Sequence, residues 1–206
     1  MRAQEMLGEL RVVPVVVIED PASAVTLAET LVACGLPAIE VTLRTPRAIE
    51  AMAAIADSVP DMLVGAGSLR DTAQIDAVLH AGARFGVSPG STPALIKAAE
   101  EAGLAFIPGA VTPSESLALL ERGYTLQKFF PAEISGGARY VAALGAPIPE
   151  VSFMPTGGVT PDNAADYLSL PNVACVGGTW VAPAKLIADG RFDEIAALAR
   201  AAAELL

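Results

Sequence analysis

Eight short apolar runs recur roughly every 20–26 residues along this 206-residue chain, and a helix-forming stretch follows each one. The runs cover 12–18, 38–43, 62–65, 84–87, 104–107, 125–130, 151–154 and 173–176. The helical patterns cover 21–34, 46–57, 71–81, 92–102, 113–122, 137–145, 161–169 and 191–205. Parallel strands need a long crossover, and a helix is the usual one. Eight such units predict an α/β fold, a single (β/α)8 TIM barrel forming one domain over 1–206. An open doubly wound sheet is the runner-up.

Local punctuation supports the alternation. Asp20-Pro21, Thr45-Pro46, Thr92-Pro93, Thr112-Pro113 and Thr160-Pro161 each put a capping residue before a proline suited to the first helical position. Gly35, Gly82, Gly103 and Gly123 are placed to end helices. Within 38–44 the odd positions, Ile39, Val41 and Leu43 among them, are apolar, while the even ones include Glu40, Thr42 and Arg44. An open parallel sheet covered on both faces would read as continuously apolar. A barrel strand can instead point polar groups into the mouth. Pro14 lies in the first run and has no N–H for a central ladder, so pairing is expected to begin near Val15.

No run reaches the roughly 18 apolar residues of a membrane span, although hydrophobic residues make up 53% of the chain. No basic stretch precedes an apolar one at the start, so no secretory signal is expected and the predicted location is cytoplasmic. The net charge of −10 argues against nucleic acid and anionic membranes as partners. An anionic small molecule would then need local donors in a pocket. Cys34 and Cys175 lie in apolar surroundings and read as reduced, buried thiols. The lone histidine, His80, falls at a helix end, and no spacing resembles a metal site. Neither a metal nor another cofactor is expected.

Of the three lysines, Lys128 alone falls in a strand-like run, beside Phe129 and Phe130. A buried ammonium costs several kcal/mol unless it is paired or gives up its proton. A neutral amine can form a Schiff base with a carbonyl. A strand-end lysine that sends its head to water is the plainer alternative. Barrel active sites lie at the C-terminal strand ends. Those ends carry Glu40, Thr42 and Arg44, then Gly67-Ser68, Ser88-Pro89-Gly90, Lys128 with Phe130, Thr156-Gly157-Gly158 and Gly177-Gly178-Thr179. Glu40 and Arg44 could simply pair with each other. The two Gly-Gly turns and a short helix over 181–186 form a candidate phosphate cradle.

Glu40-Val41-Thr42-Leu43-Arg44-Thr45, Gly65-Ala66-Gly67, Ser88-Pro89-Gly90, Lys128-Phe129-Phe130-Pro131-Ala132-Glu133, Pro155-Thr156-Gly157-Gly158 and Gly177-Gly178-Thr179-Trp180 occur in order along nearly the whole chain. Together they resemble the bacterial 2-keto-3-deoxy-6-phosphogluconate (KDPG) aldolase and 4-hydroxy-2-oxoglutarate aldolase family. The resemblance implies a metal-independent class I aldolase that cleaves KDPG to pyruvate and glyceraldehyde 3-phosphate, as in the Entner–Doudoroff pathway. It implies Lys128 as the Schiff-base lysine, Glu40 as general acid and base, Arg44 on the pyruvate carboxylate and Thr156 on substrate hydroxyls. Ser68, Pro89, Phe130, Gly157, Gly158, Gly177, Gly178 and Thr179 complete the expected substrate site. The family is commonly homotrimeric, and many members also cleave 4-hydroxy-2-oxoglutarate to pyruvate and glyoxylate. Ser68 stands where many relatives have Thr, and Thr179 where Ser is common; each exchange keeps the hydroxyl. The related 2-dehydro-3-deoxy-6-phosphogalactonate aldolases rank second. A non-catalytic sugar-phosphate binding barrel is the alternative from another class, and it has no need for Lys128.

Overall fold

The fold follows from helices packed against parallel strands, as the alternation requires. A computed structural model describes residues 3–205. The expected domain limits, 1–206, include residues 1, 2 and 206, which lie outside the described ones. In chain order the elements are α1 (Ala3–Leu7), β1 (Val12–Val16), α2 (Ala24–Ala33), β2 (Ala38–Thr42), α3 (Ala48–Ser58), β3 (Leu63–Gly67), α4 (Thr72–His80), β4 (Phe85–Val87) and α5 (Pro93–Glu101). Then come β5 (Ala105–Ile107), α6 (Pro113–Leu120), β6 (Leu126–Phe129), α7 (Gly137–Gly145), β7 (Ser152–Pro155), α8 (Ala164–Leu168), β8 (Val176–Gly178), α9 (Ala184–Ala188) and α10 (Phe192–Ala203).

All strand pairs are parallel. Six strands form one sheet in the order β5-β4-β3-β2-β1-β8, and β6 pairs with β7 separately. Among the described residues the two sheets are joined by single bridges: Gly109 with Lys128, Phe153 with Val173 and Thr156 with Gly177. The continuous eight-stranded ladder expected from the sequence is therefore interrupted on both sides of the β6–β7 pair. β5 and β8, which end the six-stranded sheet, have three residues each.

The alternation read in 38–44 has its physical counterpart. Ile39 and Val41 sit in the large cluster shared with the helices, whereas Ala38 joins a smaller cluster with Val13, Phe85, Val87, Ile107, Leu126 and Met154. Helix α1 closes one end of that smaller cluster through Ala3 and Leu7. Phe85 is fully buried there, a burial that stabilises the fold by about 1.5–3 kcal/mol. It fits because residue 65 is glycine: a Cβ there would lie 2.1 Å from the Phe85 ring.

Several local expectations change. Pro14 lies inside β1 and aligns with Gly178. The Val176 N–H donates to the Arg11 carbonyl, so even-numbered β1 residues turn their bonding groups toward β2. Register with β2 begins only at Val15, so the missing proline donor falls where that ladder has not started. Strand β8 begins at Val176 rather than at residue 173, and Gly177 and Gly178 lie within it rather than in a turn after it. Thr92 and Thr112 cap α5 and α6 as expected. Thr45 does not cap α3; its hydroxyl donates to the Ile18 carbonyl at 2.7 Å, and the helix starts two residues after Pro46, at Ala48. Asn163 rather than Thr160 precedes α8, accepting from the Thr160 N–H at 2.7 Å. The four glycines expected to end helices all take positive φ, between 68° and 87°.

Candidate active site

Glu40 and Lys128 meet although they lie in different sheets and 88 residues separate them. β2 places Glu40 on the face away from the helices, and β6 places Lys128 opposite. The Lys128 Nζ donates to Glu40 Oε1 at 2.9 Å and to Oε2 at 3.2 Å. Glu40 is 0% exposed and Lys128 5%. The other ion pairs among the described residues, such as Arg47–Glu50 and Lys185–Asp189, are on the surface. Arg44 does not form the ion pair with Glu40 that the sequence left open. Its Nε instead donates to Ser68 Oγ at 3.4 Å, and the residue is exposed. The Phe130 ring centroid lies 5.7 Å from the Lys128 Nζ, within cation–π range.

A buried pair of this kind is weak evidence for stability, because both charges lose their water. What it provides is a nucleophilic amine in hydrogen-bond contact with a carboxylate that can take and return its proton. Glycine makes room for it: a Cβ at Gly67 would lie 2.2 Å from Glu40 Oε1. Thr42, on the same strand face, donates to the Val16 carbonyl at 2.9 Å and so holds β2 to β1.

A cleft of about 410 Å³ opens beside the pair, lined by Leu43, Arg44, Ser68, Arg70, Pro89 and Phe130. Thr156 is nearly buried at the end of β7, and Gly177 lets it approach, since a Cβ there would meet Thr156 Oγ1 at 2.3 Å. Gly157 and Gly158 pack against the β6 loop: a Cβ on the first would sit 3.0 Å from the Phe130 ring, and on the second 2.6 Å from the Glu133 Cβ. Gly178 faces the Trp180 ring, which a Cβ would meet at 2.3 Å. A valine there would thus displace the indole rather than simply fill a turn. Thr179 is exposed after β8. The structure therefore joins Lys128 to Glu40, and Arg44, Ser68, Pro89 and Phe130 around one cleft. Thr156, Gly157, Gly158 and Gly177–Thr179 stand on the neighbouring β7 and β8 ends.

Among the described residues no group of three or more His, Cys, Asp or Glu is arranged to hold a metal, and no helix is long and apolar enough to cross a membrane. His80 is exposed, with Nδ1 2.7 Å from the Asp76 carbonyl oxygen. Both cysteines are free and buried, and burial pushes the Cys175 thiol up to about 12.

The family model described as "Aldolase: KDPG and KHG aldolase" matches residues 3–198. The chain belongs to the KDPG and KHG aldolase family. By that membership it is an enzyme, an aldolase of the lyase class. A 2-dehydro-3-deoxy-phosphogluconate aldolase of Pseudoalteromonas atlantica is 46% identical, over 97% of this chain and 93% of its own. The KHG/KDPG aldolase of Escherichia coli strain K12 is 45% identical, over 98% and 95%. The crystal structure of KDPG aldolase from Legionella pneumophila, with pyruvate captured at low pH as a covalent carbinolamine intermediate, matches with a TM-score of 0.95 at 40% identity, over 98% of each chain.

Three residues around this candidate site escaped the sequence reading. Leu43 and Arg70 line the cleft. Arg70 follows Ser68 by two residues, a spacing that could have flagged it. Tyr167, fully buried in α8, donates a hydrogen bond to Glu133. That bond anchors the β6 loop, whose Ala132 and Glu133 N–H groups donate to the Thr156 and Gly157 carbonyls at 2.8 and 3.1 Å. Burial, chiefly, raises the Tyr167 hydroxyl pKa, with the Glu133 hydrogen bond acting in the same direction. Nothing in the local pattern around residue 167 marks a partner 34 residues away.

Gly67→Ala tests the packing around the carboxylate. The added methyl should push Glu40 off Lys128 and lower kcat, at a stability cost of about 1–3 kcal/mol. Thermal unfolding and steady-state kinetics measure the two effects separately. An unchanged kcat would show that the carboxylate has room to move.

Proposed function

We propose that this chain is a class I aldolase that cleaves KDPG to pyruvate and glyceraldehyde 3-phosphate through a Schiff base on Lys128. We extend the same chemistry to 4-hydroxy-2-oxoglutarate. The observation that carries the proposal is the contact between the buried Lys128 amine and the Glu40 carboxylate, at 2.9 and 3.2 Å. Glu40 takes the ammonium proton, and the freed amine attacks C2 of the keto acid to give a carbinolamine. Loss of water gives an iminium, which draws the electron pair of the C3–C4 bond as that bond breaks. A base removes the C4 hydroxyl proton at the same time, and glyceraldehyde 3-phosphate leaves. The remaining enamine is protonated at C3, and hydrolysis frees pyruvate and the lysine. Glu40 serves each proton step, directly or through water. Arg44 and Ser68 hold the keto-acid carboxylate beside Pro89 and Phe130. Thr156 contacts the substrate hydroxyls. Gly157, Gly158, Gly177, Gly178 and Thr179 receive the phosphate.

The proposal includes the closed (β/α)8 barrel, supported by the bridges that link β5 to β6 and β7 to β8. It also includes a single domain, which rests on the run of eight strand-helix units, a cytoplasmic location, which rests on the sequence pattern, and a homotrimer, which rests on the family resemblance. Light scattering tests the assembly, with a mass of three chains expected. The activity is tested by supplying KDPG or its C4 epimer and detecting pyruvate with lactate dehydrogenase and NADH. A higher kcat/KM for KDPG is expected; preference for the epimer would favour the phosphogalactonate series. Binding without turnover would favour a sugar-phosphate binder. Activity should survive exhaustive EDTA treatment, because the lysine and carboxylate suffice for each step. Loss restored by zinc or magnesium would overturn the mechanism.

A further inference from the structure

We infer that Arg70 binds the keto-acid carboxylate alongside Arg44, an assignment that rests on the aldolase chemistry proposed above. Ser68 has φ 61°, a left-handed conformation uncommon for a residue with a Cβ. The chain turns there as it leaves β3. Leu69 then drops into the core, fully buried, with its N–H donating to the Val87 carbonyl at 3.1 Å. Ser68 and Arg70, on either side of it, both line the cleft. Gln74 Oε1 accepts from the N–H groups of Arg70 at 2.8 Å and Asp71 at 3.1 Å. Asp71 in turn accepts from the Ala73 N–H at 2.9 Å, completing the cap of α4. The Arg70 backbone is therefore fixed on both flanks.

Its guanidinium is not engaged in the same way. Arg47, Arg122 and Arg191 each sit on a glutamate, whereas Arg70 forms no ion pair among the described residues. A chain of net charge −10 thus leaves two guanidiniums, those of Arg44 and Arg70, on one cleft with no carboxylate among the described residues that line it. The cleft opens beside the reactive amine, because Phe130 both lines it and lies 5.7 Å from the Lys128 Nζ. Its other lining residues come from the β2, β3 and β4 ends, whereas the phosphate is assigned to the β7 and β8 ends. The anionic group that belongs beside the amine on this side is the C1 carboxylate, one bond from the C2 that Lys128 attacks. Guanidinium forks match carboxylate geometry, and two can share its four lone-pair sites.

The test measures the pyruvate concentration that gives half-maximal borohydride-trapped adduct. Arg70→Gln should raise it about 3- to 10-fold, a range that allows for solvent exposure, with the maximal adduct unchanged. Arg70→Lys should recover much of the lost affinity. Added salt should weaken pyruvate binding more in the wild type than in Arg70→Gln, which a purely structural role would not produce. Unchanged half-saturation in Arg70→Gln overturns the assignment. So does normal pyruvate binding combined with a raised KM for glyceraldehyde 3-phosphate in the condensation direction, since Arg70 would then serve the phosphate. A wild type that traps no pyruvate at all overturns the underlying aldolase chemistry, so the two failures are distinguishable.

Discussion

Lys128→Arg is expected to abolish turnover, by at least about 10⁴-fold, while leaving a folded protein. Arginine keeps a positive charge against Glu40 but stays protonated in proteins, so it supplies no free electron pair to attack a keto acid. Added bulk in a site only 5% exposed should cost about 1–3 kcal/mol, visible as a lower Tm. Lys128→Met would be equally inactive for a different reason, and its stability is informative. It leaves the fully buried Glu40 without its cation, at a cost of about 3–5 kcal/mol if the carboxylate remains ionised. The double variant Lys128→Met, Glu40→Met should regain most of that loss, because paired buried charges are often no more stabilising than apolar groups of similar size. The three variants separate chemistry from folding: all are inactive, but their unfolding midpoints differ. Retained turnover in Lys128→Arg would remove the lysine from the mechanism.

Glu40→Gln should lower kcat for KDPG by about 10²–10⁴-fold, the usual contribution of a general acid–base group. The amide still accepts a hydrogen bond from the lysine but can no longer shuttle protons. The variant should form the pyruvate adduct slowly and lose most exchange of the pyruvate methyl protons with solvent. Proton NMR in deuterated water follows that exchange without a cleavage assay. Wild-type exchange in Glu40→Gln would reduce the carboxylate to a structural partner of Lys128.

Both residues stand out in the sequence for a physical reason: charge inside an apolar strand is costly, so it draws attention wherever it occurs. The alternation around Glu40 also gave its face correctly, with Ile39 and Val41 turned toward the helices. The partner of Glu40 was not legible. Local spacing left a pair with Arg44, four residues away, open, whereas Lys128, on a strand of the other sheet, meets it only in the folded chain. The start of the last strand was missed for a similar reason. Residues 173–176 carry the apolar pattern, but strand pairing with β1 falls on Val176, Gly177 and Gly178. Those glycines are suited to the place by contacts with Thr156 and Trp180, and glycine has low strand propensity. Thr45 and Thr160 had the local signature of helix caps. In the fold, the Thr45 hydroxyl bonds to Ile18 and the Thr160 N–H to Asn163. Arg70 lay within reach of a simple argument from spacing after Ser68. Tyr167 did not, since its bond to Glu133 depends wholly on how α8 packs.

Intact-protein and peptide mass spectrometry after incubation with pyruvate and borohydride tests the Schiff base most directly. One pyruvyl-derived group per chain is expected, on the peptide containing Lys128, with none on Lys97 or Lys185 and none when pyruvate is omitted. An unlabelled wild-type chain, or label on either of the other lysines, would contradict it.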